Sequence, residues 1–138
     1  MRRRPWAVAL VAWTFFVWTT RIVNIWGDGA LATGEKWGRT GLALSFTVLA
    51  IAVVVALVRG AAGPLRWAVG ALAAWSVVVW AVRDVRIVAA DHEIGFKVVH
   101  VVLGVISIVL AALAWRESRR PSASPTPAAP VAGPVGQG

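Results

Sequence analysis

Between Thr40 and Val58 the chain runs for 19 residues without a charged side chain. At about 1.5 Å per residue, such a run matches a bilayer hydrocarbon core of ~30 Å once it is helical. In lipid the backbone must satisfy its own N–H and C=O groups, and for a single segment that leaves the α-helix. Three further stretches read the same way. Trp6 to about Trp26 is apolar apart from threonines, Arg21 and Asn24. Trp67 runs uncharged to Val82 and extends through Arg83 and Arg86 towards Ala90, and Ile94 to Trp115 has Lys97 and His100 as its ionisable residues. A mean hydropathy of +0.74 with 14% charged residues suits a chain made largely of such segments. The fold class expected is an all-α integral membrane protein. It would be a four-transmembrane-helix bundle with spans at about 6–26, 40–58, 67–90 and 94–115, inside a membrane domain of residues 1–116.

The net charge of +8 would suit a nucleic-acid partner if it covered a soluble face, so its placement decides its meaning. Eight arginines (2, 3, 4, 59, 66, 116, 119 and 120) and one acid, Glu117, put +7 into the two ends and the Arg59 to Arg66 turn. The remaining residues carry six bases and five acids, or +1. This is the positive-inside pattern of a multi-pass protein with both termini cytoplasmic, and no basic stripe with interleaved aromatics points to nucleic acid. Tryptophans agree: Trp6, Trp67 and Trp115 mark the inner interface and Trp26 and Trp37 the outer one. Trp13, Trp18, Trp75 and Trp80 lie deeper and read as packing residues.

Gly27-Asp28-Gly29 signals a turn, and the polar segment from there to Arg39 reads as the first outer loop. Gly60, Gly63 and Pro64 break the chain between the second and third spans. Arg2 to Arg4 ahead of an apolar run resembles a signal peptide, but the nearest A-x-A site, Ala30 to Ala32, lies beyond Asp28, so an uncleaved first helix is expected. Zero cysteines remove disulfides, thiolate metal sites and Cys nucleophiles together. Twelve arginines against two lysines, with abundant Ala, Val, Gly and Pro, suggest a GC-rich bacterial genome and hence a bacterial inner membrane. Five of the last 18 residues are proline, so residues 117–138 read as a disordered cytoplasmic tail.

Against this background Arg83 to His100 packs eight ionisable side chains into 18 residues. Counted from the inner tryptophans, Arg21, Arg83 and His100 all lie about 22 to 24 Å across the membrane. On the fourth helix Glu93, Lys97, His100, Gly104, Ser107 and Ala111 form one polar-to-small stripe. Thr14, Val17, Arg21, Asn24 and Asp28 do so on the first, and Ala73, Ser76, Trp80, Asp84, Ile87 and Asp91 on the third. The second offers Gly41, Ser45, Ala52 and Ala56 for close approach. These stripes are expected to converge, giving a polar cluster of Arg21, Asn24, Arg83, Asp84, Arg86, Lys97 and His100. A charge at such depth costs on the order of 2.5 to 3.5 kcal/mol unpaired, so Asp84 should meet Arg21 or Lys97, and Glu93 should meet Lys97. Arg83 and Arg86 can snorkel. Asp91 reads as the N-cap of the fourth helix, with His92 in the turn and Glu93 in the first helical turn.

Two function classes fit such a chain. An interaction or scaffold protein uses the buried polar layer for register and associates with membrane lipids, other membrane proteins or its own copies. A transporter or proton-conducting subunit would use the cluster as a pathway, although the inner halves of the spans offer no polar continuation. An enzyme is not expected, because no catalytic motif or phosphate loop is present. No metal or cofactor is expected: His92 and His100 lie about 12 Å apart along a helix, too far to share one ion, and a transmembrane haem wants histidines from facing helices. A buried, paired polar layer predicts that His100→Ala and Asp84→Asn both lower the thermal stability of the detergent-purified protein.

Overall fold

The computed structural model describes residues 4–120 of the 138. Most of the Pro-rich segment expected to be disordered therefore lies outside the described residues. Four helices, α1 (Pro5–Gly27), α2 (Thr33–Val58), α3 (Ala62–Ala89) and α4 (Ile94–Ser118), account for nearly all of the described chain. Each is long and apolar enough to cross a membrane. Their connections, residues 28–32, 59–61 and 90–93, are short enough to make successive helices antiparallel neighbours. α1 packs on α2 and α4, and α3 packs on α2 and α4, so the bundle is a closed ring.

The helices extend beyond the spans read from sequence, and each extension has a local cause. α2 begins at Thr33, inside the segment expected to be a loop, because Glu35 to Arg39 is as good a helix above the lipid as Leu42 onwards is within it. Glu35 and Arg39 face each other at 3.8 Å one turn apart. Trp37 meets Trp26 of α1 edge-on at 5.3 Å, and the Lys36 ammonium sits 5.9 Å from the same indole. α3 begins at Ala62, so Gly63 and Pro64 fall within its first turn. Proline there forfeits an N–H that had no intrahelical partner. The true break is Gly60, whose φ of +64° lets the Gly60 N–H reach Leu57 O and the Ala61 N–H reach Ala56 O. That pair of bonds closes the last turn of α2 and needs a residue free of the left-handed penalty.

At the end of the bundle that holds both ends of the described chain, the first helix is capped by the last. Glu117 of α4 accepts the backbone N–H of Ala7 at 3.0 Å and of Trp6 at 3.4 Å. This acid, set among the arginines of that end, thus sits at the positive end of α1, where donors lack intrahelical acceptors. Above it the core is apolar and tight: Leu10, Val53, Val69, Leu72, Ala50 and Ala111 are all fully buried. Higher up, the Trp18 ring stacks on Phe46 at 4.0 Å and tilts against Trp80 at 6.3 Å, joining three helices in an aromatic layer.

Register between helices is pinned by indole donors. Trp13 Nε1 donates to Ser107 Oγ across α1 and α4 at 2.9 Å, Trp75 Nε1 to Ser45 Oγ across α3 and α2 at 2.9 Å, and Trp26 Nε1 to Thr40 Oγ1 across α1 and α2 at 3.1 Å. In lipid, where apolar surface alone does not favour association, such bonds and close packing hold helices together. The small face expected on α2 is half right: Ala56 is buried and Ser45 meets α3, but Gly41 and Ala52 point outwards, and the buried set is Thr40, Ala43, Phe46, Ala50, Val53 and Ala56. Phe46 decides this rotation, because only this face brings its ring onto Trp18.

If the Trp13 to Ser107 bond pins α1 to α4, Trp13→Phe and Ser107→Ala should be non-additive. The double-mutant cycle, measured by unfolding in mixed detergent micelles, should give a coupling of about 0.6 to 2 kcal/mol. Additive losses would show that the two groups do not interact.

Candidate functional site

The helix ends opposite the two chain ends carry the polar residues, and the ring topology brings three of them to one opening. Arg21 and Asn24 of α1, Arg83 of α3 and His100 of α4 line a cavity of about 390 Å³ walled by Trp18, Trp80, Phe96 and Leu103. Arg21 and Arg83 also line a second, larger cavity of about 580 Å³ with Arg39 of α2, Arg86 of α3 and His92. Its lower wall is Leu42, Trp75, Val78, Val79 and Val82. Of the seven residues read as a polar cluster, Arg21, Asn24, Arg83, Arg86 and His100 therefore meet at these two openings, whereas Asp84 and Lys97 line neither.

The stripes behind this convergence are right for two helices and partly right for a third. On α4 Gly104, Ser107 and Ala111 are buried, and on α3 Ala73, Ser76, Trp80 and Ile87 are. On α1 Thr14 faces inwards, while Asn24 and Asp28 are exposed. Trp18 and Ile25 take the inward positions instead.

The expected ion pairs are replaced by other contacts. Among the described residues Arg39 with Glu35 is the one ion pair, so Asp84 meets neither Arg21 nor Lys97, and Glu93 does not hold Lys97. Lys97 Nζ instead reaches back over the turn and donates to Val88 O at 3.1 Å, satisfying a carbonyl in the last turn of α3. Asp84 points at α4, where Gly104 leaves room for its carboxylate; a methyl group there would overlap all three carboxylate atoms. Its Oδ1 is fully buried without a hydrogen-bond partner among the described residues. A reciprocal arrangement lies lower down, where a Cβ on Gly70 of α3 would strike the Trp115 ring of α4 at 2.5 Å. Each helix of this pair thus yields a glycine to a large or charged side chain of the other.

His100 is half-buried, and its Nδ1 lies 2.9 Å from Phe96 O. A carbonyl only accepts, so Nδ1 carries the proton and, in the neutral ring, Nε2 is left as an acceptor among guanidinium donors. The Phe96 ring is flanked by His100 at 4.0 Å and His92 at 4.9 Å, so this aromatic ladder stiffens the start of α4. The cap expected of Asp91 is not made. Glu93 is the N-cap residue, without a side-chain bond, and Asp91 is an exposed turn residue because the backbone bond from His92 N to Ala90 O turns the chain before α4 begins.

Three participants were not legible as such. Arg39 was assigned to a loop, and its i, i+4 spacing from Glu35 is the signal that places it on a helix. Trp75, expected only to pack, and Phe96, which no sequence signal singles out, form walls of the openings. Chemically the arrangement gathers guanidinium and imidazole groups above an apolar floor. It has no nucleophile and base in contact, and among the described residues no three His, Asp or Glu side chains come together. Comparison with protein-family models, with curated proteins and with solved structures found no match for the chain.

The geometry of Asp84 reverses one expectation. With no partner to lose, Asp84→Asn should leave the purified protein at least as heat-stable as the wild type. Gly104→Ala should cost about 1 to 3 kcal/mol by overpacking, and Asp84→Ala in the same chain should restore most of it. Thermal unfolding in detergent measures all three, and a large loss in Asp84→Asn would show that the carboxylate is paired.

Proposed function

We propose that this chain is a bacterial inner-membrane protein of interaction or scaffold type, with both termini cytoplasmic, that associates with other membrane components through its outer end. The observation supporting this reading is the contrast between the two halves of the bundle. The inner half is closed by fully buried Leu10, Val53, Val69 and Leu72, and the Trp18 and Phe46 stack lies above them. The polar openings sit at the other end and lead sideways between helices. A polar group entering there meets arginines and stops, which suits binding better than passage.

One feature favours transport as a second reading. A carboxylate oxygen buried without a partner, as in Asp84, is the kind of group that proton-handling membrane proteins place in their path. The two readings separate in one pair of measurements. Gentle co-purification with mass spectrometry should recover a stoichiometric membrane-protein partner, reduced several-fold by Arg39→Ala with Arg86→Ala. Proteoliposomes holding the purified chain should show no pH-driven flux above empty vesicles. Flux abolished by Asp84→Asn, with no partner recovered, would overturn the scaffold reading in favour of transport.

A further inference from the structure

The arginines at the outer end are the ones that the distribution of charge across a membrane does not explain. Arg59, Arg66, Arg119 and Arg120 occupy the opposite, inner end, as the positive-inside rule requires. Arg21, Arg39, Arg83 and Arg86 come from three different helices and line one opening of about 580 Å³, and no carboxylate is part of that lining. The acids of this end are elsewhere: Asp28, Asp91 and Glu93 are exposed on the turns, and Asp84 is turned into α4. Glu35 touches Arg39 at 3.8 Å, an exposed contact that neutralises little. Four guanidiniums gathered with one exposed carboxylate at their edge repel one another, and in a medium poorer in water than bulk solvent that repulsion is weakly screened.

Directly below them the wall changes character. Trp75, Val78 and Val82 of α3 are 37%, 55% and 49% exposed, and with Leu42 of α2 they form an apolar floor running down the outside of the bundle. Trp75 is fixed there by its bond to Ser45, so the floor is rigid. A donor-rich head region directly above an apolar strip has the polarity profile of a lipid.

We propose that this opening between α2 and α3 binds a lipid with a phosphate-bearing, net anionic headgroup, the phosphate among Arg21, Arg39, Arg83 and Arg86 and one acyl chain along Leu42, Trp75, Val78 and Val82. Guanidinium forks match phosphate oxygens two at a time, which an ammonium does not, and the lining holds four arginines with His92 and no lysine. The volume falls within the range of about 300 to 1,000 Å³ usual for small-molecule sites. The apolar floor favours a lipid over free phosphate, which would leave that floor unused. The scaffold reading also engages Arg39 and Arg86, but lipid retention is measured on the purified chain without a protein partner, so the two readings fail separately.

The test uses the full-length chain purified in detergent and exchanged into nanodiscs of phosphatidylcholine with a minor share of phosphatidylglycerol, followed by native mass spectrometry of retained lipid. One phosphatidylglycerol should remain bound, preferred over phosphatidylcholine by about tenfold or more. Arg39→Ala with Arg86→Ala, both exposed and outside the core, should abolish that preference, and Val82→Trp should weaken retention by filling the acyl strip while leaving every arginine in place. Millimolar inorganic phosphate should compete poorly. Equal retention of the two lipids, or an unchanged preference in the arginine variant, would overturn the proposal. Full displacement by inorganic phosphate together with an unaffected Val82→Trp would overturn the lipid assignment in favour of a free-phosphate site.

Discussion

In a hydrocarbon solvent apolar helices gain nothing by leaving lipid for one another, so this bundle depends on how closely its backbones approach and on a few directed bonds between them. The pairing of α3 with α4 is the clearest case. Gly70 admits the Trp115 ring and Gly104 admits the Asp84 carboxylate, so the two helices interlock at two heights in opposite senses. The indole donors of Trp13, Trp75 and Trp26 then tie α1 to α4, α2 to α3 and α1 to α2. Every edge of the ring carries at least one such specific contact, which sets register where uniform apolar surfaces of valine and alanine would slide.

The same solvent explains the division between the two ends. Below the aromatic layer formed by Trp18, Phe46 and Trp80, the interior holds alanine, valine and leucine at full burial. Above it, charged groups are tolerated because the ends of the helices open to the interface, where long side chains reach water or headgroups. Charge at this end is near balance in number but not in space. The acids lie on the turns or are folded into a helix contact, and the arginines face the openings. A count of charges sees neutrality; the fold separates them into a basic recess and an acidic rim.

Much of this was legible in the chain because lipid imposes coarse rules. A run such as Thr40 to Val58 has a single stable form, and the spacing of Gly104, Ser107 and Ala111 allowed one inward face. Heights also followed from counting, which is why Arg21, Arg83 and His100 meet as expected. What counting could not supply was rotation and partner choice. Small residues on α2 offered two competing faces, and a single aromatic stack selected between them. The pairing of Lys97 with a carbonyl rather than a carboxylate depends on where α3 ends, and that end lies a residue away from a plausible alternative. Opposite charges near in sequence suggested ion pairs, yet glycine on the facing helix offered Asp84 a space that no charge rule foresees.

The contact between Glu117 and the first turn of α1 joins the two ends of the described chain. Its consequence concerns the order of biogenesis. α1 carries backbone donors whose acceptor, Glu117, is synthesised only near the end of α4. Until α4 has inserted, the start of α1 is left to water or lipid headgroups, and the ring stays open along its α1 edge. Completion of α4 therefore acts as the clasp of the four-helix ring, and a chain interrupted before Glu117 leaves the first turn of α1 without this acceptor.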